Sequence, residues 1–275
     1  MKRFFVFLAA AAAALSAFAG GGQVRRLDVE SGAMGRDIPN IVVLPEGCET
    51  SGREYPALYL LHGAGANFRA WLDIRPDLPE LATRHGVIFV LPDGENSWYV
   101  DSPAKAESRF QEYLTNELPG IVDRIFPTRK SPKGRAVAGL SMGGHGAMWL
   151  AMNRPDVFGA AGSMSGALDI TAIPKSGKKA EIFGPIDENP GLWDSFSILK
   201  NAERLAASGV AVSADCGTDD SFIGMNRAFH LRLLKLGVPH DYSERPGGHD
   251  NAYWARALPF QLEFFSGFFS SETSR

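Results

Sequence analysis

The chain has 275 residues, with 28 basic and 31 acidic side chains and a formal net charge of −3. That balance, with no basic stripe, excludes the electrostatic footprint of a nucleic-acid binder. Apolar residues make up 45% of the chain, enough for an ordinary packed core, and two cysteines are too few for a disulfide framework.

The first segment reads as a targeting signal. Lys2 and Arg3 open it, Phe4 to Leu15 is apolar, and Ala17-Phe18-Ala19 is an A-x-A cleavage site before Gly20. The apolar run is short for a membrane span, and no later stretch is long enough to cross a bilayer, so stable membrane insertion is not expected. Cleavage after Ala19 implies a secreted or periplasmic protein. It leaves 256 residues with 26 bases against 31 acids, a net charge of −5. That length fits a single domain over 20–275.

The rest of the chain alternates strands and helices. Val24–Val29 and Ile38–Leu44 predict two opening strands, Ala57–Leu61 a buried strand ending at His62-Gly63, and Val87–Leu91 another ending at Pro92-Asp93-Gly94. Phe110–Ile125 carries Tyr113, Leu114, Leu118, Ile121, Val122 and Ile125 at helical spacing. Arg135–Ala138 is a strand, Gly144–Asn153 a helix, and Ala160–Met164 and Val210–Ala214 two further strands. Ala167–Leu199, rich in Gly, Pro and Lys, breaks the alternation and reads as an excursion over a site. A helix over Ser221–Leu236, a polar strand over Asp241–Glu244 and a last helix over Asn251–Phe269 complete the chain. Short apolar strands between helices imply an α/β fold, a mostly parallel central sheet with helices on both faces. Ligands of such sheets bind at the carboxyl ends of the strands.

The chemistry centres on G-L-S-M-G (Gly139 to Gly143). It lies between a strand and a helix, where a G-x-S-x-G nucleophile elbow presents its serine, here Ser141. A serine hydroxyl needs a base to take its proton and a third group to orient that base. In this fold type the order is Ser, acid, His. Of six histidines, His62 and His85 precede the serine, His145 lies on the following helix, His230 is inside a helix and His240 precedes a strand. His249, in the Gly-rich P-G-G-H-D, follows the last strand and is the candidate base. Three acids compete: Asp215 within a strand, and Asp219 and Asp220 after C-G-T. Asp220 is preferred, with Asp219 as the alternative.

An oxyanion hole needs backbone N–H groups aimed at the developing charge. Met142, after the nucleophile, is one candidate donor. Ala64 in H-G-A-G is the other, with Gly65 or Gly63 as alternatives. Gly143, Gly144, Gly146 and Ala147 would let the next helix approach the sheet closely. Trp98 and Tyr99 are candidate substrate contacts, since they follow the end of the fourth strand; Trp71, Phe183, Trp193, Tyr253 and Trp254 are weaker ones. No metal-ligand spacing and no dinucleotide or Walker glycine pattern occurs, so no metal and no other cofactor is expected. An exported chain permits one bridge between Cys48 and Cys216, although Cys216, at a strand end, reads more simply as a buried small apolar residue.

Six stretches carry a resemblance. They are S-G-A-M-G-R (Ser31 to Arg36), Y-L-L-H-G (Tyr59 to Gly63), G-L-S-M-G-G-H-G-A (Gly139 to Ala147), P-D-V-F-G-A-A-G-S-M-S-G (Pro155 to Gly166), C-G-T-D-D (Cys216 to Asp220) and P-G-G-H-D (Pro246 to Asp250). From Val24 to Phe269 the chain resembles the esterase family of α/β-hydrolases. That family contains esterase D (S-formylglutathione hydrolase), tributyrin, feruloyl and acetylxylan esterases, and mycolyltransferases. The resemblance implies a Ser–His–Asp hydrolase with its roles on Ser141, His249 and Asp220. It implies an exported carboxylesterase acting on small-molecule or carbohydrate esters. Competing expectations are a feruloyl or acetylxylan esterase of plant polysaccharide, an acyltransferase, and a non-catalytic binding protein on the same fold. Acyl length, alcohol identity and oligomeric state are not written in these motifs.

Overall fold

Five-residue strands such as Ala57–Leu61 are buried along their whole length, so both faces of the sheet must be covered. The computed structural model describes residues 16–17, 22–173 and 177–271. The segment read as a signal, 1–19, lies outside them except for Ser16–Ala17. Among the described residues nine strands form one sheet in the order β1-β2-β3-β5-β4-β6-β7-β8-β9. They are β1 (Ser16–Ala17), β2 (Gln23–Ser31), β3 (Arg36–Leu44), β4 (Ala57–Leu61), β5 (Ile88–Pro92), β6 (Arg135–Leu140), β7 (Ala160–Met164), β8 (Ala211–Gly217) and β9 (His240–Arg245). β4 to β9 run parallel, while β1, β2 and β3 pair antiparallel at one edge. This is the expected mostly parallel α/β sheet.

The helices are α1 (Ala70–Ile74), α2 (Leu78–His85), α3 (Phe110–Glu112), α4 (Leu118–Ile125), α5 (Met142–Asn153), α6 (Gly177–Phe183), α7 (Pro190–Phe196), α8 (Ala202–Ser208), α9 (Ile223–Lys235) and α10 (Asn251–Ser270). The alternation of strand side chains builds two cores. Tyr59, Val90 and Val137 join α5 and α9 on one face, while Leu58, Phe89 and Ala138 join α2 and α10 on the other. Each large apolar side chain moved from water into these layers contributes roughly 1.5–3 kcal/mol. α5 is buried almost all round, as a helix wedged between sheet and other helices must be. The excursion after β7 folds over α5 and carries α6 and α7, pinned by Phe183, Trp193 and Phe196. The expected helix over 110–125 forms, but Tyr113–Glu117 within it is a π-turn. Pro119 lacks the N–H that would bond one turn back, and the wider turn accommodates that loss.

Cys48, in the turn after β3, and Cys216, in β8, are both buried and unpaired. The bridge that export would permit is therefore not formed.

Candidate active site

The turn at Ser141 is dictated by close packing. Ser141 adopts φ 55°, ψ −117° between β6 and α5, a strained conformation for a residue with a side chain. Its flanking glycines leave no room for substitution. A Cβ on Gly139 would lie 2.4 Å from the Gly143 carbonyl, and one on Gly143 would lie 2.5 Å from the Leu61 carbonyl oxygen. The main chain of Ser141 is held by Met164, whose carbonyl accepts its N–H at 3.0 Å, and by Ala167, whose N–H donates to its carbonyl at 3.0 Å.

Two loops bring the partners. His249 lies between β9 and α10, and Asp220 lies between β8 and α9. His249 Nε2 is 2.9 Å from Ser141 Oγ, and its Nδ1 is 3.0 and 2.9 Å from Asp220 Oδ1 and Oδ2. Nδ1–H therefore donates to the carboxylate, and Nε2 is free to accept from the hydroxyl. The Asp220 side chain is fully buried, while that of His249 is 27% exposed. Burial pushes the Asp220 carboxyl pKa up, but hydrogen bonds from His249 and the Phe222 N–H outweigh it and the net shift is downward. The imidazole is flanked by Phe222 and Trp254, at centroid distances of 4.6 and 5.0 Å, both edge-to-face. Asp250 caps α10 by accepting the Tyr253 N–H at 2.8 Å, which fixes the exit of the His249 loop.

The other acids stand elsewhere. Asp215 is buried, accepting from Tyr253 Oη at 2.9 Å and Gln261 Nε2 at 2.6 Å. Burial pushes its pKa up to about 6. Asp219 is exposed, with its N–H on the Gly247 carbonyl. His145 is buried and faces away from Ser141, with Nε2 2.9 Å from the Phe196 carbonyl and its ring stacked on Trp149. Burial pushes its pKa down to about 4.

Two stretches of main chain adjoin Ser141. The Met142 N–H opens α5, where the first N–H groups have no partner within the helix. Gly63 lies beside the nucleophile, since a Cβ on it would be 3.5 Å from Ser141 Cβ. Ala64 follows it and is exposed. The Gly65 N–H is taken by Asn96 Oδ1 at 2.8 Å, so of the alternatives in this loop Gly65 is already engaged.

Trp98 and Tyr99 do not stand as substrate contacts. Both have positive φ, 57° and 60°, which turns the chain inward after β5. Tyr99 is fully buried, with its hydroxyl on the His62 carbonyl at 2.9 Å and its ring against Gly94 and Gly146. Trp98 packs edge-on to His145 and beside Phe183. Asn96 and Phe222, by contrast, reach the site without a motif that marks them, while Trp254 was legible only as one aromatic among several.

The geometry is that of an activated hydroxyl at the start of a helix, with its imidazole held by a buried carboxylate, a set suited to acyl transfer. A family model described as "Putative esterase" matches residues 31–265. An acetyl esterase of Caldicellulosiruptor saccharolyticus is 31% identical over 221 residues, 76% of this chain and 82% of that protein. An esterase of Mycobacterium tuberculosis is 29% identical over 238 residues, and the chain spans only about half, 51%, of its length. A solved ferulic acid esterase superposes with a TM-score of 0.79 at 27% identity, covering 90% of this chain and 98% of that one. The chain belongs to the esterase family of α/β-hydrolases and is an enzyme acting on carboxylic esters.

Proposed function

We propose that the chain is an exported serine carboxylesterase working through an acyl-enzyme. The observation that carries this reading is the continuous chain from Ser141 Oγ through His249 to buried Asp220, with every link at 2.9 to 3.0 Å. In this reading Ser141 Oγ attacks the ester carbonyl carbon as its proton passes to His249 Nε2. The negative charge on the carbonyl oxygen is met by the N–H groups of Met142 and Ala64. His249 returns the proton to the leaving alcohol oxygen as its bond to carbon breaks. Water then repeats the sequence in reverse roles and frees the acid and Ser141. Asp220 holds the imidazole in the Nδ1–H tautomer and stabilises its cation. The basic start, apolar run and A-x-A site in residues 1–19 support export, with one catalytic domain after cleavage near Ala19.

A second reading narrows the substrate to carbohydrate esters. An open cleft is lined by Glu95, Asn96, Lys105, Ser108, Lys178 and Glu181. Asn96 links it to the loop beside Ser141. Interleaved charges and hydroxyls suit a hydroxyl-rich alcohol better than a lipid tail.

The test is labelling by a fluorophosphonate, together with rates on p-nitrophenyl acyl esters, methyl ferulate and acetylated xylan. Labelling lost in Ser141→Ala, with turnover on at least one ester, is the expected result. An unlabelled wild-type protein, or full turnover in Ser141→Ala, would sink the mechanism. Preferential release from xylan or ferulate would select the carbohydrate reading, and fast short-chain turnover alone would reject it.

A further inference from the structure

His62 is buried, lies outside the serine–histidine–aspartate chain, and has both ring nitrogens accounted for. Its Nδ1 is 2.8 Å from the Gly63 carbonyl oxygen, and its Nε2 is 2.9 Å from the Gly94 N–H. A carbonyl only accepts and a backbone N–H only donates, so the ring is the neutral Nδ1–H tautomer. Asp93 Oδ1 is 3.5 Å from Nε2, longer than the Gly94 contact. The His62 carbonyl accepts from Tyr99 Oη, and the Tyr99 ring meets the imidazole edge-on at 5.8 Å. One imidazole thus ties the loop after β4 to the loop after β5.

The bond to Gly63 has a geometric consequence. The Gly63 carbonyl and the Ala64 N–H belong to one peptide plane, and in a trans peptide they point in opposite directions. The chain has no cis peptide bonds among the described residues. The Gly63 oxygen is held by His62 Nδ1–H and by the Ala66 N–H at 3.2 Å. Fixing that oxygen fixes the direction of the Ala64 N–H, in a peptide adjoining Ser141 Cβ. Asn96 anchors the next N–H, that of Gly65, and so secures the far side of the same turn.

We infer that His62 is a positioning residue for the oxyanion donor, its Nδ1–H setting the Gly63–Ala64 peptide plane so that the Ala64 N–H faces the reacting carbonyl. This rests on the assignment of Ala64 and Met142 as donors. A misaligned donor loses strength in the tetrahedral state, where the oxygen carries charge, more than in the bound ester. His62 thus acts on turnover rather than on ground-state binding.

The experiment compares His62→Ala, His62→Asn and His62→Gln. Asparagine can place an N–H near the Nδ1 position and retain the bond to Gly63, whereas glutamine reaches toward the Nε2 position. Each variant is measured for kcat and KM on p-nitrophenyl acetate and for affinity toward an alkyl trifluoromethyl ketone, which captures Ser141 as a tetrahedral adduct. The expected result is a kcat loss of about 10- to 100-fold in His62→Ala with KM nearly unchanged, and ketone affinity falling in proportion. His62→Asn should recover much of both. Loss of kcat with ketone affinity unchanged, or equal loss in Asn and Ala variants, would overturn the inference. If His62→Ala does not fold, His62→Asn compared with His62→Gln carries the same two readouts, and equal kcat and ketone affinity in those two variants would overturn the inference. Failure of the serine mechanism itself shows separately, as turnover and labelling that survive Ser141→Ala.

Discussion

Gly217 lies against Gly247 so closely that a Cβ on Gly217 would be 2.2 Å from the Gly247 carbonyl oxygen. Gly217 opens the loop that carries Asp220, and Gly247 lies two residues before His249. The acid and the histidine are therefore registered by backbone contact as well as by their own hydrogen bond. Gly217→Ala should lower kcat and thermal stability together, since the two loops must part, at a cost of about 1–3 kcal/mol. Thermal melts and initial rates on one purified variant check this.

Asp220→Asn should reduce kcat by about 10³- to 10⁴-fold with little change in melting temperature, because an amide no longer favours the Nδ1–H tautomer. Asp219→Asn should stay within a few-fold of wild type, its side chain being exposed and its N–H already on Gly247. Comparable losses in both variants would refute the choice of Asp220.

Phe222 and Trp254 flank the His249 imidazole. Phe222→Ala should widen its rotamer range and cut kcat by about 10- to 100-fold, with fluorophosphonate labelling slowed in step. Unchanged labelling kinetics would show that the flanking ring is mere packing.

Two buried groups set opposing pH dependences. The His145 pKa, pushed down by burial to about 4 from 6.5, means the unfolded chain binds the proton first. Its contribution is present above about pH 6.5 and is lost as pH falls toward 4. The Asp215 pKa, raised by burial from 3.8 to about 6, means the folded chain binds that proton first. Its contribution is present below about pH 4 and is lost as pH rises through 6. Between pH 4 and 6.5 the two partly cancel. Asp215→Asn removes the second, so its melting temperature should fall more steeply on acidification than that of wild type, with a relative gain at pH 7 on the order of 3 kcal/mol. Gln261 Oε1, which has no hydrogen-bond partner, can accept from the new amide if that side chain flips. Parallel pH–melting curves would contradict this.

Both thiols should be silent in the native protein. Burial pushes Cys48 up to about 11 and Cys216 up to about 12, leaving almost no thiolate at neutral pH. Ellman's reagent should find neither thiol before denaturation and both after, and a reductant should leave the melting temperature unmoved.

Much of this was legible from local pattern. β4 and β7 fall at their expected limits, Ala57–Leu61 and Ala160–Met164, because short apolar runs bounded by turn residues admit little else. β2 extends past both expected ends and β3 begins two residues early at Arg36, since antiparallel pairing continues to Ser31–Arg36 beyond the apolar signal. α1, α2 and α8 gave no usable signal; at five to eight residues they depend on tertiary packing rather than intrinsic helicity. The same holds for α7, which needs the Asn189 cap and the burial of Trp193. Ile125 lies on the expected apolar face yet is 50% exposed, because the π-turn shifts the helical phase before it. The inward turn of Trp98 and Tyr99 depends on two left-handed residues, which a hydrophobic pattern does not encode.

The rings of His145, Trp149, Phe183, Trp193 and Phe196 join α5 to the excursion that carries α6 and α7. Because α5 begins at the nucleophile, the foundation of that excursion is also the foundation of the elbow. Its inward rings are bound by packing, while its outward residues carry no such duty. Descendants of this chain could therefore exchange outward residues freely, drifting in ester preference while the hydrolytic core stays intact.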